Sequence, residues 1–244
     1  MAKTWTVITP SLISFEIRET TGADDQRLTA KSINDAEMLD RYIYEIIVSG
    51  GTTEGTKLSY EALRQLKLRD KYALLVFIRC LGLSPNLVFT YPWSTGEQEY
   101  SFNLEEFIWD YKKELPQRDS EEYSPYRMVP YMIPEPQQIL YSGKEIKFDL
   151  LNGLGEAFIL GTKDSEQTIN TPLLARNLRV RENGEWKKVL NFTPFTSREM
   201  MEIRNYVNEV DPPVTGEIDI ESDAGDKASI NILSLKEFFY PAKI

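Results

Sequence analysis

Two stretches of the chain, DKYALLVFIRCLGLSP at Asp70–Pro85 and SREMMEIRNYVNEVDP at Ser197–Pro212, follow one plan 127 residues apart. Each opens on a capping residue, continues with apolar side chains at helical spacing and stops at a proline. In the first, Ala73, Leu74, Phe77, Ile78 and Leu81 supply the apolar face, and Gly82 and Pro85 end it. In the second, Ser197 caps Arg198 to Val210, and Asp211-Pro212 ends it. Upstream, Ile146-Lys147-Phe148 followed by Gly153 lies 131 residues after Phe15-Glu16-Ile17 followed by Gly22. Downstream, Gly225 lies 129 residues after Gly96, and Leu235-Lys236-Glu237-Phe238 lies 131 after Leu104-Glu105-Glu106-Phe107. Offsets that drift only within loops are the residue of a diverged duplication. The expected fold is therefore α+β, with two related lobes, each holding a strand, a capped helix and a β-hairpin. The lobes are placed at 1–110 and 144–244, joined by a linker or strap at 111–143.

Local signals fill in this frame. Ile13, Phe15 and Ile17 alternate with polar residues and predict a strand ending at Arg18. Asn34 with Glu37 starts a helix whose stripe, from Met38 to Ile47, stops at Gly50-Gly51. Ser59 opens a short helix through Leu66. Leu87–Tyr91 and Gln98–Phe102 flank a turn and predict a hairpin with Trp93 near its tip. The second lobe lacks a long early helix and has instead Asn183-Gly184, a strong hairpin signal, between Leu178–Arg181 and Trp186–Leu190. In the strap, Pro116, Pro125, Pro130, Pro134 and Pro136 alternate with tyrosines and forbid a continuous helix. A surface connector and a docking arm both fit that composition.

Composition removes much chemistry. Among 244 residues there are 28 Lys+Arg and 38 Asp+Glu, a formal charge of −10, with no histidine and one cysteine. Nucleophile pairs that need histidine, imidazole ligands, paired thiolates and intramolecular disulfides are all excluded. The acidic balance disfavours nucleic-acid backbone as a partner. No apolar run is long enough to span a bilayer, the opening residues predict no signal peptide, and the single cysteine fits a reducing compartment.

The remaining motifs have plain readings beside the chemical ones. Gly50-Gly51-Thr52-Thr53-Glu54-Gly55-Thr56-Lys57 looks like a phosphate loop, but Thr56 intervenes before Lys57 and Leu58 follows it, so a helix-to-helix connector is expected. Asp219 to Asp226 alternates acids as a calcium loop does, but its glycine is seventh and Ile230 stands at the twelfth position, which points to a solvated hairpin tip. Asp24/Asp25, Glu105/Glu106 and Glu121/Glu122 are carboxylate neighbours without a defined separation across a cleft. Arg79 is expected to snorkel or pair with an acid, and Cys80 to behave as a small buried hydrophobe. No catalytic, cofactor-binding or metal-binding residue emerges. The candidate partner contacts are aromatic: Trp93 at the hairpin tip, Tyr126 and Tyr131 in the strap, and Phe239 and Tyr240 near the end, where folding back onto the lobe is the competing reading.

Several motifs together resemble a known family. They are the strand into Thr21-Gly22-Ala23-Asp24-Asp25, Asp70-Lys71 leading to Ile78-Arg79 and Gly82, the Tyr91-Pro92-Trp93-Ser94-Thr95-Gly96-Glu97 hairpin, Asp211-Pro212, and Leu235-x-x-Phe238-Phe239-x-Pro241. In this order they resemble the baseplate-protein family of T-even-type contractile-tailed bacteriophages, which includes hub-region and tail-assembly proteins. The resemblance implies a non-enzymatic structural component of the baseplate, assembled in the host cytoplasm. Its implied partners are hub, wedge or tape-measure proteins, with no nucleic acid and no membrane span. The hairpins of relatives often carry Cys-x-x-Cys ribbons suited to zinc. Here Tyr91 and Ser94 stand in one such place, and Ser222 and Gly225 fall near the other. The resemblance therefore brings no metal or cofactor, and packing must do the metal's work. The alternatives are a tail-assembly chaperone absent from the mature virion, and a carboxylate-dependent glycan-binding or cell-wall-acting protein.

Overall fold

A computed structural model describes residues 3–11, 13–24, 36–52, 54–104, 135–163, 165–211 and 216–239. In chain order its elements are β1 (Thr4–Ile8), β2 (Ser14–Arg18), α1 (Ala36–Ile46), β3 (Ile47–Gly50), α2 (Tyr60–Arg64), α3 (Leu68–Gly82), β4 (Asn86–Trp93) and β5 (Gly96–Asn103). There follow β6 (Gln137–Ile139), β7 (Glu145–Lys147), α4 (Gly153–Gly161), α5 (Thr171–Ala175), β8 (Arg179–Glu182) and β9 (Glu185–Lys188). The last are α6 (Ser197–Val210), β10 (Glu217–Glu221), β11 (Lys227–Asn231), a 3-10 turn (Ile232–Ser234) and α7 (Lys236–Phe239). The chain is mixed α+β, with small antiparallel sheets. Among the described residues no helix is long and apolar enough to cross a membrane.

The compact units do not follow the expected boundaries near 110 and 143. The first unit draws its described residues from Met1–Leu58, Arg69–Val129 and Val214–Ile244, and the second from Ser59–Leu68 and Pro130–Pro213. The β10–β11 hairpin therefore groups with β4–β5, and not with β7 and α6. Most of the expected strap, 111–134, lies outside the described residues, while its last part forms β6.

In the first unit, alternation along β2 buries Phe15 and Ile17 beside Ile13, as the pattern predicts. Helix α1 turns Met38, Tyr42, Ile43 and Ile46 inward. The expected helix end at Gly50 is too late, because Ile47-Val48 leaves the helix and pairs with β2 as β3. Gly50 itself has φ of 104° and lies against the Ser14 carbonyl, so a side chain there would push β3 off β2. Helix α3 is buried on more than one face, with Leu75 and Val76 inside as well as Leu74, Phe77 and Ile78. Its cation Lys71 meets Asp40 at 2.6 Å, both side chains being 1% exposed.

Asp70 does not cap that helix. It sits inside it, fully enclosed, where Oδ1 accepts the Ser11 N–H at 2.8 Å and ties the β1–β2 loop to α3. Arg79 is buried and, among the described residues, meets no acid; it donates to the carbonyls of Ser84 and Asn86, the acceptors just past the helix end. Cys80 is half-buried.

The second unit is built on the four-stranded sheet β6-β7-β8-β9. Asn183 and Gly184 have φ of 52° and 85°, the two positive values that a tight hairpin turn requires. Its core joins Ile146, Phe148 and Leu150 to Leu173, Leu178 and Val189, and to Met200, Ile203 and Val207 of α6. Thr196, one residue before the expected Ser197, caps α6. Its hydroxyl accepts the Glu199 N–H at 3.2 Å, and Glu199 accepts the Thr196 N–H at 2.6 Å. Asp211 is more than a helix end: Oδ2 accepts from Arg176 Nε at 2.7 Å and from the Leu151 N–H at 2.8 Å.

Two stability tests follow from these buried carboxylates. Burial pushes the Asp70 carboxyl above its ordinary value of 3.8, so wild-type stability falls as pH rises from there through the folded-state value. Asp70→Asn keeps an acceptor for Ser11 and removes the charge. Thermal melts at pH 7 should therefore place its Tm at or above wild type, with the gap closing near pH 4, whereas Asp70→Ala should cost about 1–3 kcal/mol. Glu199 behaves oppositely. The Ser142 hydroxyl and the Thr196 N–H hold it down at about 2. Its contribution is complete above the ordinary value of 4.5 and is lost as pH falls toward 2, and Glu199→Gln should flatten that part of an acid-unfolding curve.

Candidate functional site

The two hairpins of the first unit meet side by side. Along β4, Leu87 and Phe89 are buried and Tyr91 and Trp93 half-buried on one face, while Val88, Thr90 and Pro92 point away. Register places Phe102 opposite Leu87, Tyr100 opposite Phe89 and Gln98 opposite Tyr91, so the same face of β5 completes an aromatic surface. Phe89 stacks on Tyr100 with ring centres 5.6 Å apart, and Tyr91 meets Trp93 edge-on at 4.7 Å. Trp93 Nε1–H donates to the Tyr100 hydroxyl at 2.8 Å.

From this surface the contacts run to the second hairpin. The Tyr100 hydroxyl donates to the Glu221 carbonyl at 2.9 Å. Gln98 Nε2 donates to Asp223 Oδ1 at 3.2 Å, and the Asp223 N–H donates back to Gln98 Oε1 at 3.1 Å. The tip beyond β10 closes on itself, with Ser222 accepting from Gly225 and, through Oγ, from Asp226. Asp223 and Asp226 thus lie at a hairpin tip and Asp219 within β10; the Asp223 carboxylate takes the bond from Gln98, and Asp226 bonds to Ser222 through its main chain, as the hairpin reading of the displaced glycine predicts.

The predicted contact residues fall differently. Trp93 is at the tip but half-buried and hydrogen-bonded, so it works first as a strut within the ribbon. Phe239 is 5% exposed and packs edge-on against the wholly buried Phe238, with ring centres 5.0 Å apart. It belongs to the core, which removes it as an exposed anchor. Tyr126, Tyr131 and Tyr240 lie outside the described residues. Sequence reading missed Gln98, Tyr100 and Asp223, whose roles depend on contacts 121 and 125 residues apart with no local signature.

The other chemical motifs are accounted for structurally. The Gly50–Lys57 loop follows a strand, not a helix as expected. Its Gly50 N–H donates to the Thr56 carbonyl, the Leu58 N–H donates to the Gly50 carbonyl, and Lys57 Nζ lies 4.0 Å from the centre of the Tyr44 ring. Asp24 takes both arms of the Arg18 guanidinium at 2.8 Å and is held down at about 2 mainly by them. Asp25, Glu105, Glu106, Glu121 and Glu122 lie outside the described residues. Among the described residues no group of three or more His, Cys, Asp or Glu is placed to hold a metal ion.

Because side chains join the hairpins, Tyr100→Phe should lower the stability of the first unit by about 0.5–1.5 kcal/mol in denaturant unfolding, while excess EDTA leaves the wild-type Tm unchanged. A chelator-induced fall in Tm would contradict this account of the junction. Comparisons with family models, with curated proteins and with solved structures give no match.

Proposed function

We propose that the chain is a non-enzymatic structural component of a contractile-tail baseplate, in the hub region, acting through protein–protein contacts. The observation that carries this reading is the junction of the two hairpins. The positions where the resembling family often has cysteines, Tyr91 and Ser94 in one hairpin and Ser222 and Gly225 near the tip of the other, fall on ribbons that touch. Here aromatic packing and side-chain hydrogen bonds occupy the place of a metal. Such a junction makes a firm two-ribbon body from strands that are marginal alone. A firm body with an exposed outer ribbon face suits a part that positions neighbours.

Quantitative mass spectrometry of purified phage particles tests the reading. The chain should be present in a fixed ratio to other baseplate proteins. Its absence from particles in which those proteins are well detected would overturn a structural role, and its recovery instead in a soluble complex with a tail precursor would assign it to assembly.

A further inference from the structure

Strand β1 is an outer strand of its three-stranded sheet, and none of Thr4, Trp5, Thr6, Val7 and Ile8 along it carries a charge. The Glu19 N–H donates to the Lys3 carbonyl and the Thr9 N–H to the Ile13 carbonyl, so the odd-numbered residues bond across to β2. The N–H and C=O groups of Thr4, Thr6 and Ile8 therefore point away from the sheet, and among the described residues nothing bonds to them. Val7 is buried and Trp5 half-buried on the core side, while Thr4 and Thr6 are exposed on the other.

An open edge is a template for another strand, and proteins blunt such edges with charge, proline, brevity or cover. The other outer strands among the described residues are blunted in these ways. Strands β5, β9, β10 and β11 carry Glu97, Lys187, Glu217 and Lys227, and β6 has three residues and follows Pro136. Strand β4 carries Pro92 and packs against α7. Strand β3 pairs with a register shift, and its end at Gly50 bonds to the loop at Thr56 and Leu58. Strand β1 has none of these devices.

The edge itself specifies a second copy of the chain. Two copies of formal charge −10 repel, and β1 is the place where their strands meet without bringing a carboxylate to the pairing. In a twofold antiparallel pair each residue meets one from the same face, so the axis can pass at Trp5, Thr6 or Val7. An axis at Trp5 sets the Lys3 ammonium against Val7 on the core side. An axis at Val7 sets Thr4 against Pro10, which has no N–H to donate. An axis at Thr6 uses the whole strand: Thr4 meets Ile8, Thr6 meets its own copy, and Trp5 meets Val7, an aromatic against a β-branched side chain.

We infer that the chain forms a dimer by antiparallel pairing of β1 with β1 of a second copy about a twofold axis at Thr6, which joins the two three-stranded sheets into one. The pairing uses up the open edge of both copies, so it closes at two. The inference stands on the first unit and does not rest on the baseplate reading.

Sedimentation velocity on the full chain, over roughly 1–300 μM, tests it. A monomer–dimer equilibrium is expected. Thr6→Lys should weaken the dimer at least about tenfold, because two lysines then meet at the axis. The same lysine faces Glu16 within the monomer, so circular dichroism and melting should stay at wild-type values. An equimolar mixture of Thr6→Lys with Thr6→Glu should restore the dimer, whereas Thr90→Lys, on the outward side of β4, should leave it unchanged. Amide exchange on wild type gives a second readout: the Thr4, Thr6 and Ile8 amides should slow as concentration rises, with Trp5 and Val7 unaffected. A monomer throughout the range would overturn the inference. So would a dimer indifferent to Thr6→Lys, a mixture that stays monomeric, or Thr6 and Ile8 amides whose exchange ignores concentration.

Discussion

Two reciprocal hydrogen bonds join Gln98 to Asp223 across 125 residues of chain, and a third joins Tyr100 to Glu221. An isolated two-stranded hairpin is marginal in water, because few side chains bury enough surface to offset the order it demands. Among the described residues neither β4–β5 nor β10–β11 belongs to a larger sheet. Each therefore needs a surface supplied by another part of the chain. The first unit meets that need by setting the ribbons together and packing α7, with its buried Phe238 and Phe239, against β4. Each bond contributes only about 1 kcal/mol net. Their importance is directional, since they fix which residues of two ribbons face each other.

That constraint explains why the sequence was legible for elements and poor for units. Alternation at Phe15 and Ile17, the Asn183-Gly184 turn and the apolar face of α3 are local statements, and the structure contains each of them. Helix α4 was missed because Gly153, Gly155 and Gly161 weaken its propensity, although Asn152 caps it by accepting the Gly155 N–H at 3.0 Å. Gly155 is required there, since a Cβ at that position would stand 2.8 Å from the Ala175 carbonyl oxygen. Strand β3 was missed because Ile46 and Ile47 continue a helical stripe in spacing while the backbone changes between them. Asp70 and Arg79 were misassigned for a related reason. Their partners are Ser11 N–H and the carbonyls of Ser84 and Asn86, main-chain groups that no residue pattern displays.

The expected lobes assumed that each copy of the repeated plan packs on itself. In the structure, β10–β11 leaves the segment that precedes it and completes the first unit, while β7, α6 and the β8–β9 hairpin form a second core. In that second core, Asp211 joins Arg176 and the Leu151 N–H at one carboxylate oxygen, so the end of α6 is tied to the segments before α4 and after α5. The candidate partner contacts change with this picture. Phe239 and Trp93 serve the fold, and the uncharged strand β1, which sequence reading passed over, stands at the edge of a sheet in the first unit.

The central claim is that two ribbons distant in sequence form one cooperative body through side-chain contacts. Native-state amide hydrogen exchange tests this most directly, by comparing the opening free energies of β4–β5 with those of β10–β11. The account predicts that the slowest amides of both hairpins open with the same free energy, and that Gln98→Ala lowers both together. A β10–β11 hairpin that exchanges by a separate, lower-energy opening, indifferent to the Gln98 change, would contradict it.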